Sequence, residues 1–168
     1  DPEAEVIPVC EELGIGFVPW SPLGMGYLTG KVTPDYTFAE GDIRKSLNFP
    51  RFTVEALEKN RPIVTLLENI GQKYEATSGQ VALAWLMAKK TFIVPIPGTR
   101  SITHMKENTD AHKVILKDDD INELETVFAT LGVFGNRAPE GLKASHDIGT
   151  SLGTTSKGTN GKTPLPKK

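Results

Sequence analysis

Ile93-Val94-Pro95-Ile96-Pro97-Gly98-Thr99-Arg100-Ser101-Ile102-Thr103-His104-Met105-Lys106-Glu107-Asn108 runs from a β-branched stretch through a Pro-Gly break into a segment of helical character. A strand, a tight turn, then hydroxyls and a guanidinium at a helix start have the makings of an anion pocket. First-turn N–H groups favour negative charge, and arginine grips phosphate in a bidentate way. A strand–loop–helix corner with a solvated Arg100 fits the same residues, because Gly, Thr and Arg are ordinary in loops.

The rest of the chain supplies a setting for that corner. With 168 residues it has the length of one domain and can bury a core. A hydrophobic share of 38% and a charged share of 24% argue against a wholly disordered chain. A net charge of −2 generates no global field for nucleic acid or anionic membrane. No apolar run approaches the roughly 20 residues of a membrane span, and no signal pattern opens the chain. The single cysteine, Cys10, excludes an intrachain disulfide, suits a reducing compartment and reads as a core thiol. A cytoplasmic location is the expectation.

Asp1 and Pro2 resemble an N-cap and first helical residue of a helix that stops at Gly14, with Pro8 kinking it or marking its start. Ile15-Gly16-Phe17-Val18-Pro19-Trp20 is a short apolar strand of the kind buried in parallel sheets. Ser21 to Lys31 is a loop whose glycines allow close backbone approach to a ligand or simply connect two elements. Residues 32–52 form a long irregular segment, and such segments are often lids or binding loops. A helix over Thr53–Tyr74 is expected to be interrupted at Pro62. Thr77-Ser78-Gly79-Gln80 has capping-box spacing ahead of a buried helix from Val81 to Ala88. Phe92–Ile96 is the second strand. Asp118-Asp119-Asp120 reads as a helix start that complements the macrodipole; no other ligand is spaced to make it a metal site. Residues 151–168 hold four lysines and no acid, the composition of a disordered, basic tail, which leaves 1–150 as the folded unit.

Two strong strands with their helices would leave a wide apolar surface in water, so the expected fold class is α/β, an incomplete portion of a β/α barrel. The residues carry a resemblance. Gly14-Ile15-Gly16-Phe17-Val18-Pro19-Trp20-Ser21-Pro22-Leu23-Gly24-Met25-Gly26-Tyr27-Leu28-Thr29-Gly30-Lys31 is similar to the seventh-strand signature of the aldo-keto reductases. Gln80 to Leu86, Ile93 to Arg100 and Glu107-Asn108 resemble the following blocks of that family in the same order. The match spans roughly residues 1–140 and corresponds to the C-terminal part of a (β/α)8 TIM barrel, from about the sixth helix onward.

The resemblance implies NADP(H) binding and hydride transfer to a small aldehyde or ketone, without a metal. Trp20 would stack on the nicotinamide, while Ser21, Leu23 and Gly24 would hold the pyrophosphate. Gly98, Thr99 and Arg100 would cradle the 2′-phosphate, with His104 nearby and Glu107 and Asn108 at the adenine. Met25 and His104 depart from the residues that relatives often carry, and Arg44 would reach the cofactor from the long loop. The family's aspartate, tyrosine, lysine and histidine tetrad lies in earlier strands. No catalytic residue is therefore assigned here, and Tyr27, Tyr36 and Tyr74 are not promoted to that role. The chain is expected to be inactive alone and to require the N-terminal barrel portion. A cofactor-sensing regulatory subunit of the same fold, or a truncated product, is the alternative.

Overall fold

The computed structural model describes residues 2–142, so Asp1 and the tail expected at 151–168 lie outside the described residues. Six α-helices carry the architecture: α1 Val6–Leu13, α2 Ile43–Ser46, α3 Val54–Lys73, α4 Ser78–Lys89, α5 Ile102–Asp110 and α6 Asp118–Leu131. α1 begins four residues later than Pro2 suggested; Pro2–Glu5 form a turn closed by the Ile7 N–H donating to the Pro2 carbonyl at 2.8 Å. This start puts Pro8 in the first turn, where a missing N–H costs no intrahelical bond. The helix stops as expected at Gly14, whose φ of 65° is left-handed.

The two apolar runs lie side by side as extended chain and, among the described residues, are paired only by isolated parallel bridges, Phe17 with Ile93 and Trp20 with Ile96. The N–H of Phe17 donates to Phe92 O at 2.9 Å, and that of Val94 donates to Phe17 O at 2.9 Å. Between the two bridges the next donor of the ladder would be the N–H of residue 19, which proline lacks, and the pairing is interrupted there. The expectation of two strands is thus corrected to two extended stretches in parallel register.

The interruption expected at Pro62 does not occur. α3 runs through it from Val54 to Lys73 as one helix. Proline in a helix interior costs about 3 kcal/mol. Leu57, Ile63, Val64, Leu67 and Ile70 are all at most 4% exposed along the same helix. Burying each such side chain contributes about 1.5–3 kcal/mol, so packing outweighs the local penalty. The core joins α3 to α4 and α6 through Ile63, Leu67, Ile70, Val81, Ala82, Ala84, Leu116 and Leu124.

The capping box forms: the Gln80 N–H donates to Thr77 Oγ1 at 3.2 Å, and the Thr77 N–H to Gln80 Oε1 at 3.0 Å. The three aspartates occupy the first turn of α6. Asp120 is buried there and accepts from Lys73 Nζ at 2.7 Å and from the Tyr74 hydroxyl. Among the described residues no group of three His, Cys, Asp or Glu could hold a metal ion, and no helix is long and apolar enough to cross a membrane.

Candidate functional site

Parallel pairing has one geometric consequence that matters for function. Both extended stretches end on the same side, so the turn after Trp20 and the turn after Ile96 emerge together. Ligands of parallel α/β arrangements bind at the carboxyl ends of strands, where such turns meet.

The first turn is held in an unusual backbone. Ser21, Gly24, Met25 and Gly26 all have left-handed φ values, of 51°, 57°, 54° and 93°. Left-handed backbone at the non-glycine residues Ser21 and Met25 costs about 1–2 kcal/mol each. The turn closes through the Gly24 N–H donating to Ser21 O at 2.9 Å and the Gly26 N–H donating to Leu23 O at 3.0 Å. Leu23 leans its side chain against the helical core. Trp20 is 52% exposed, with the Arg137 guanidinium 4.6 Å from its ring centre.

In the second turn, Gly98, Thr99 and Arg100 are exposed. The Ser101 N–H donates to Thr99 Oγ1 at 3.1 Å, and Ser101 Oγ caps α5 by accepting from the His104 N–H at 3.3 Å. Arg100 therefore projects from a turn fixed by two hydroxyls, directly ahead of a helix N-terminus. His104 Nε2 lies 2.9 Å from Lys31 Nζ, which ties the end of the glycine turn to the first turn of α5.

Glu107 is partly committed. Its carboxylate accepts from Thr77 Oγ1 at 2.7 Å, and its carbonyl accepts from Gln80 Nε2 at 3.0 Å. It thus anchors α5 on the cap of α4 and keeps one carboxylate oxygen outside that bond. Asn108, half-buried, follows it on α5.

Arg44, from the long segment, reaches the glycine turn. Its guanidinium turns inward, with Nη2 donating to Asp42 Oδ2 at 2.6 Å and Nη1 to Met25 O at 3.0 Å. The rings of Phe38, Tyr36 and Phe52 surround it at 4.9, 5.7 and 5.7 Å. The long segment is thereby folded around one cation and fastened to the glycine turn. Asp42, bonded to that guanidinium, is held below the usual carboxylate range.

Tyr27 and Tyr74 are poorly suited to proton donation. Burial pushes Tyr27 up to about 12, and its hydroxyl donates to Leu57 O at 2.9 Å. The hydrogen bond to Asp120 raises Tyr74. Tyr74, Lys73 and Asp120 match an acid–base trio in residue type, yet they clasp α3 to α6 in the helical layer.

Lys31 was visible in sequence as the last residue of the glycine block, but only folding brings its amine to His104. Asn60, Arg51 and Arg137 had no sequence signal; they are polar residues in a helix, a long loop and a stretch without periodicity.

Comparison with known proteins supports the resemblance. The profile of the Aldo/keto reductase family matches residues 1–129. A probable aldo-keto reductase of Glycine max is 38% identical over 142 residues, covering 84% of this chain and 40% of that protein. An aldo-keto reductase of Schizosaccharomyces pombe, whose name specifies NADP(+), is 39% identical over 140 residues, covering 83% of this chain and 41% of its own length. The chain thus spans about two fifths of the length of these relatives. A glycerol dehydrogenase structure from Gluconobacter oxydans superposes with a TM-score of 0.69 at 22% identity, over 78% of this chain and 39% of that one, and shares the fold. The chain belongs to the aldo/keto reductase family.

Proposed function

We propose that this chain forms the cofactor-binding end of an NADP(H)-dependent reductase of small aldehydes or ketones. The observation that carries the reading is the parallel pairing of Trp20 with Ile96, which sends the glycine turn and the Gly98–Arg100 turn out together. In this reading residues 1–150 are the C-terminal part of a (β/α)8 barrel, 151–168 its basic tail, and the protein is cytoplasmic.

The cofactor supplies the hydride; the chain's residues bind and orient it. The Trp20 indole offers an aromatic face to the nicotinamide. Ser21, Leu23 and Gly24 present backbone to the pyrophosphate from a turn whose strain is already accommodated. Thr99 and Arg100, ahead of α5, receive the 2′-phosphate, and Lys31, whose amine lies 2.9 Å from His104 Nε2, adds positive charge beside them. Glu107 and Asn108 contact the adenine from α5. The acid that protonates the carbonyl, with the residues that tune it, comes from the N-terminal barrel portion, so this chain alone is inactive.

The test is cofactor preference in the intact enzyme. Its affinity should be higher for NADPH than for NADH, and Arg100→Ala should erode that difference by about tenfold or more, the worth of a charge-assisted hydrogen bond of about 1.5–3 kcal/mol. Equal affinity for both cofactors before mutation removes the 2′-phosphate assignment.

A further inference from the structure

The segment after α6 is fastened with more bonds than a connector needs. Asn60, 3% exposed, treats Phe134 as a strand neighbour would: its Nδ2 donates to Phe134 O at 2.9 Å, and its Oδ1 accepts from the Phe134 N–H at 2.8 Å. Lys59 Nζ sits 4.0 Å from the centre of the Phe134 ring. Gly135 follows, with a left-handed φ of 87°, and its backbone passes so close to Pro50 that a Cβ would lie 2.8 Å from the Pro50 carbonyl oxygen. Only glycine fits this crossing. Arg51 Nε donates to Gly135 O at 3.2 Å, and Ala138, 2% exposed, pins the far side.

These fastenings fix Arg137, whose guanidinium lies 4.6 Å from the Trp20 ring centre. Stacking on an indole leaves the in-plane N–H groups of a guanidinium free to donate sideways. Arg51 uses Nε on the Gly135 carbonyl, which leaves its two terminal nitrogens as a fork. Burial and the repulsion of Arg137 both lower the Arg51 pKa, so the two cations are close enough to oppose each other. Among the described residues, the ion pairs involve neither arginine. Two like charges held together at a partly buried site are relieved by an oxyanion.

We propose that Arg51 and Arg137 form an oxyanion-binding pair beside Trp20, and that the carbonyl substrate of this site carries an anionic group. This rests on the reading of Trp20 as the nicotinamide-side aromatic. A carboxylate on the substrate and a phosphate of the cofactor offer the same chemistry, and the experiment separates them.

Benzoate, its neutral isostere benzamide and inorganic phosphate are titrated against the full chain by ligand-observed NMR at constant ionic strength. The expected result is saturable benzoate binding at least tenfold tighter than benzamide. Arg137→Gln, at an exposed position, should weaken it at least tenfold with an unchanged melting temperature, and Arg51→Lys should weaken it by removing the fork while keeping the charge. Phosphate binding with the same dependence on Arg137 supports a phosphorylated substrate. Benzoate that still binds at saturating NADP+ belongs to the substrate; competitive displacement by NADP+ overturns the substrate assignment. Equal binding of benzoate and benzamide, or no effect of Arg137→Gln, overturns the oxyanion pair. Failure of the 2′-phosphate preference at Arg100 would remove the cofactor reading while leaving the benzoate result standing, so the two can fail separately.

Discussion

The helical layer and the paired extended stretches are built from similarly apolar sequence, yet they meet opposite fates. Val81 and Leu83 of α4 are 0% and 1% exposed, whereas Val18 and Ile96 of the stretches are both 53% exposed. Trp85 packs edge-on against Phe128 at 5.3 Å in the helical layer, while Trp20 remains half in solvent. Helices satisfy their own backbone and need only a neighbour for one face. Extended chain needs partners on both edges as well as a cover, and each stretch has one partner here. The difference separates a helical layer whose apolar face is covered from two extended stretches whose outer residues stay open to solvent.

That contrast is sharpest in a pair of substitutions. Leu67→Ala, at a 1% exposed position in the core, should lower stability by about 2–5 kcal/mol, whereas Ile96→Ala should change it by about 0.5 kcal/mol or less, read from denaturant midpoints. Comparable losses at both sites would mean the extended stretches are buried in solution. Asp120→Ala should have a smaller effect, about 1–3 kcal/mol, because it leaves Lys73 and Tyr74 without their shared acceptor.

The same carboxylate gives a pH signature. Lys73 and Tyr74 hold the folded Asp120 pKa below its unfolded value, so its contribution is fully present above about pH 4 and is lost as pH falls through the lower folded value. Acid melts of the wild type and Asp120→Asn should therefore converge below that window. Smallest in energy per residue, but readable at once, is association. With Ile15, Val18, Trp20, Val94 and Ile96 exposed, sizing chromatography should show oligomers, and a monodisperse monomer would erase the contrast between the layers.

What sequence could show follows the same division. The Thr77–Gln80 capping box and the glycine stop of α1 were legible because both are local devices with fixed spacing. Pro62 misled, since local propensity penalises it and the deciding burial of Ile63 and Leu67 comes from α4 and α6. The extended runs were legible as apolar stretches, but the interruption at Pro19 shows only once the partner and its register are known. Among site residues, the Thr99 and Ser101 hydroxyls stand where a helix start requires them. The inward pose of Arg44 was not legible, because the three aromatic rings and Asp42 that hold it are gathered only by the fold of the long segment. Arg137 reaches Trp20 through a clasp by Asn60, and no periodicity connects residues so far apart.

In the proposed function the Gly98–Arg100 turn recognises a 2′-phosphorylated adenosine. Calorimetric titration of the full chain with 2′,5′-ADP and with 5′-AMP tests it directly. 2′,5′-ADP should bind at least tenfold tighter, with Arg100→Ala abolishing the difference. Equal affinity for the two nucleotides, or a preference untouched by Arg100→Ala, would contradict it.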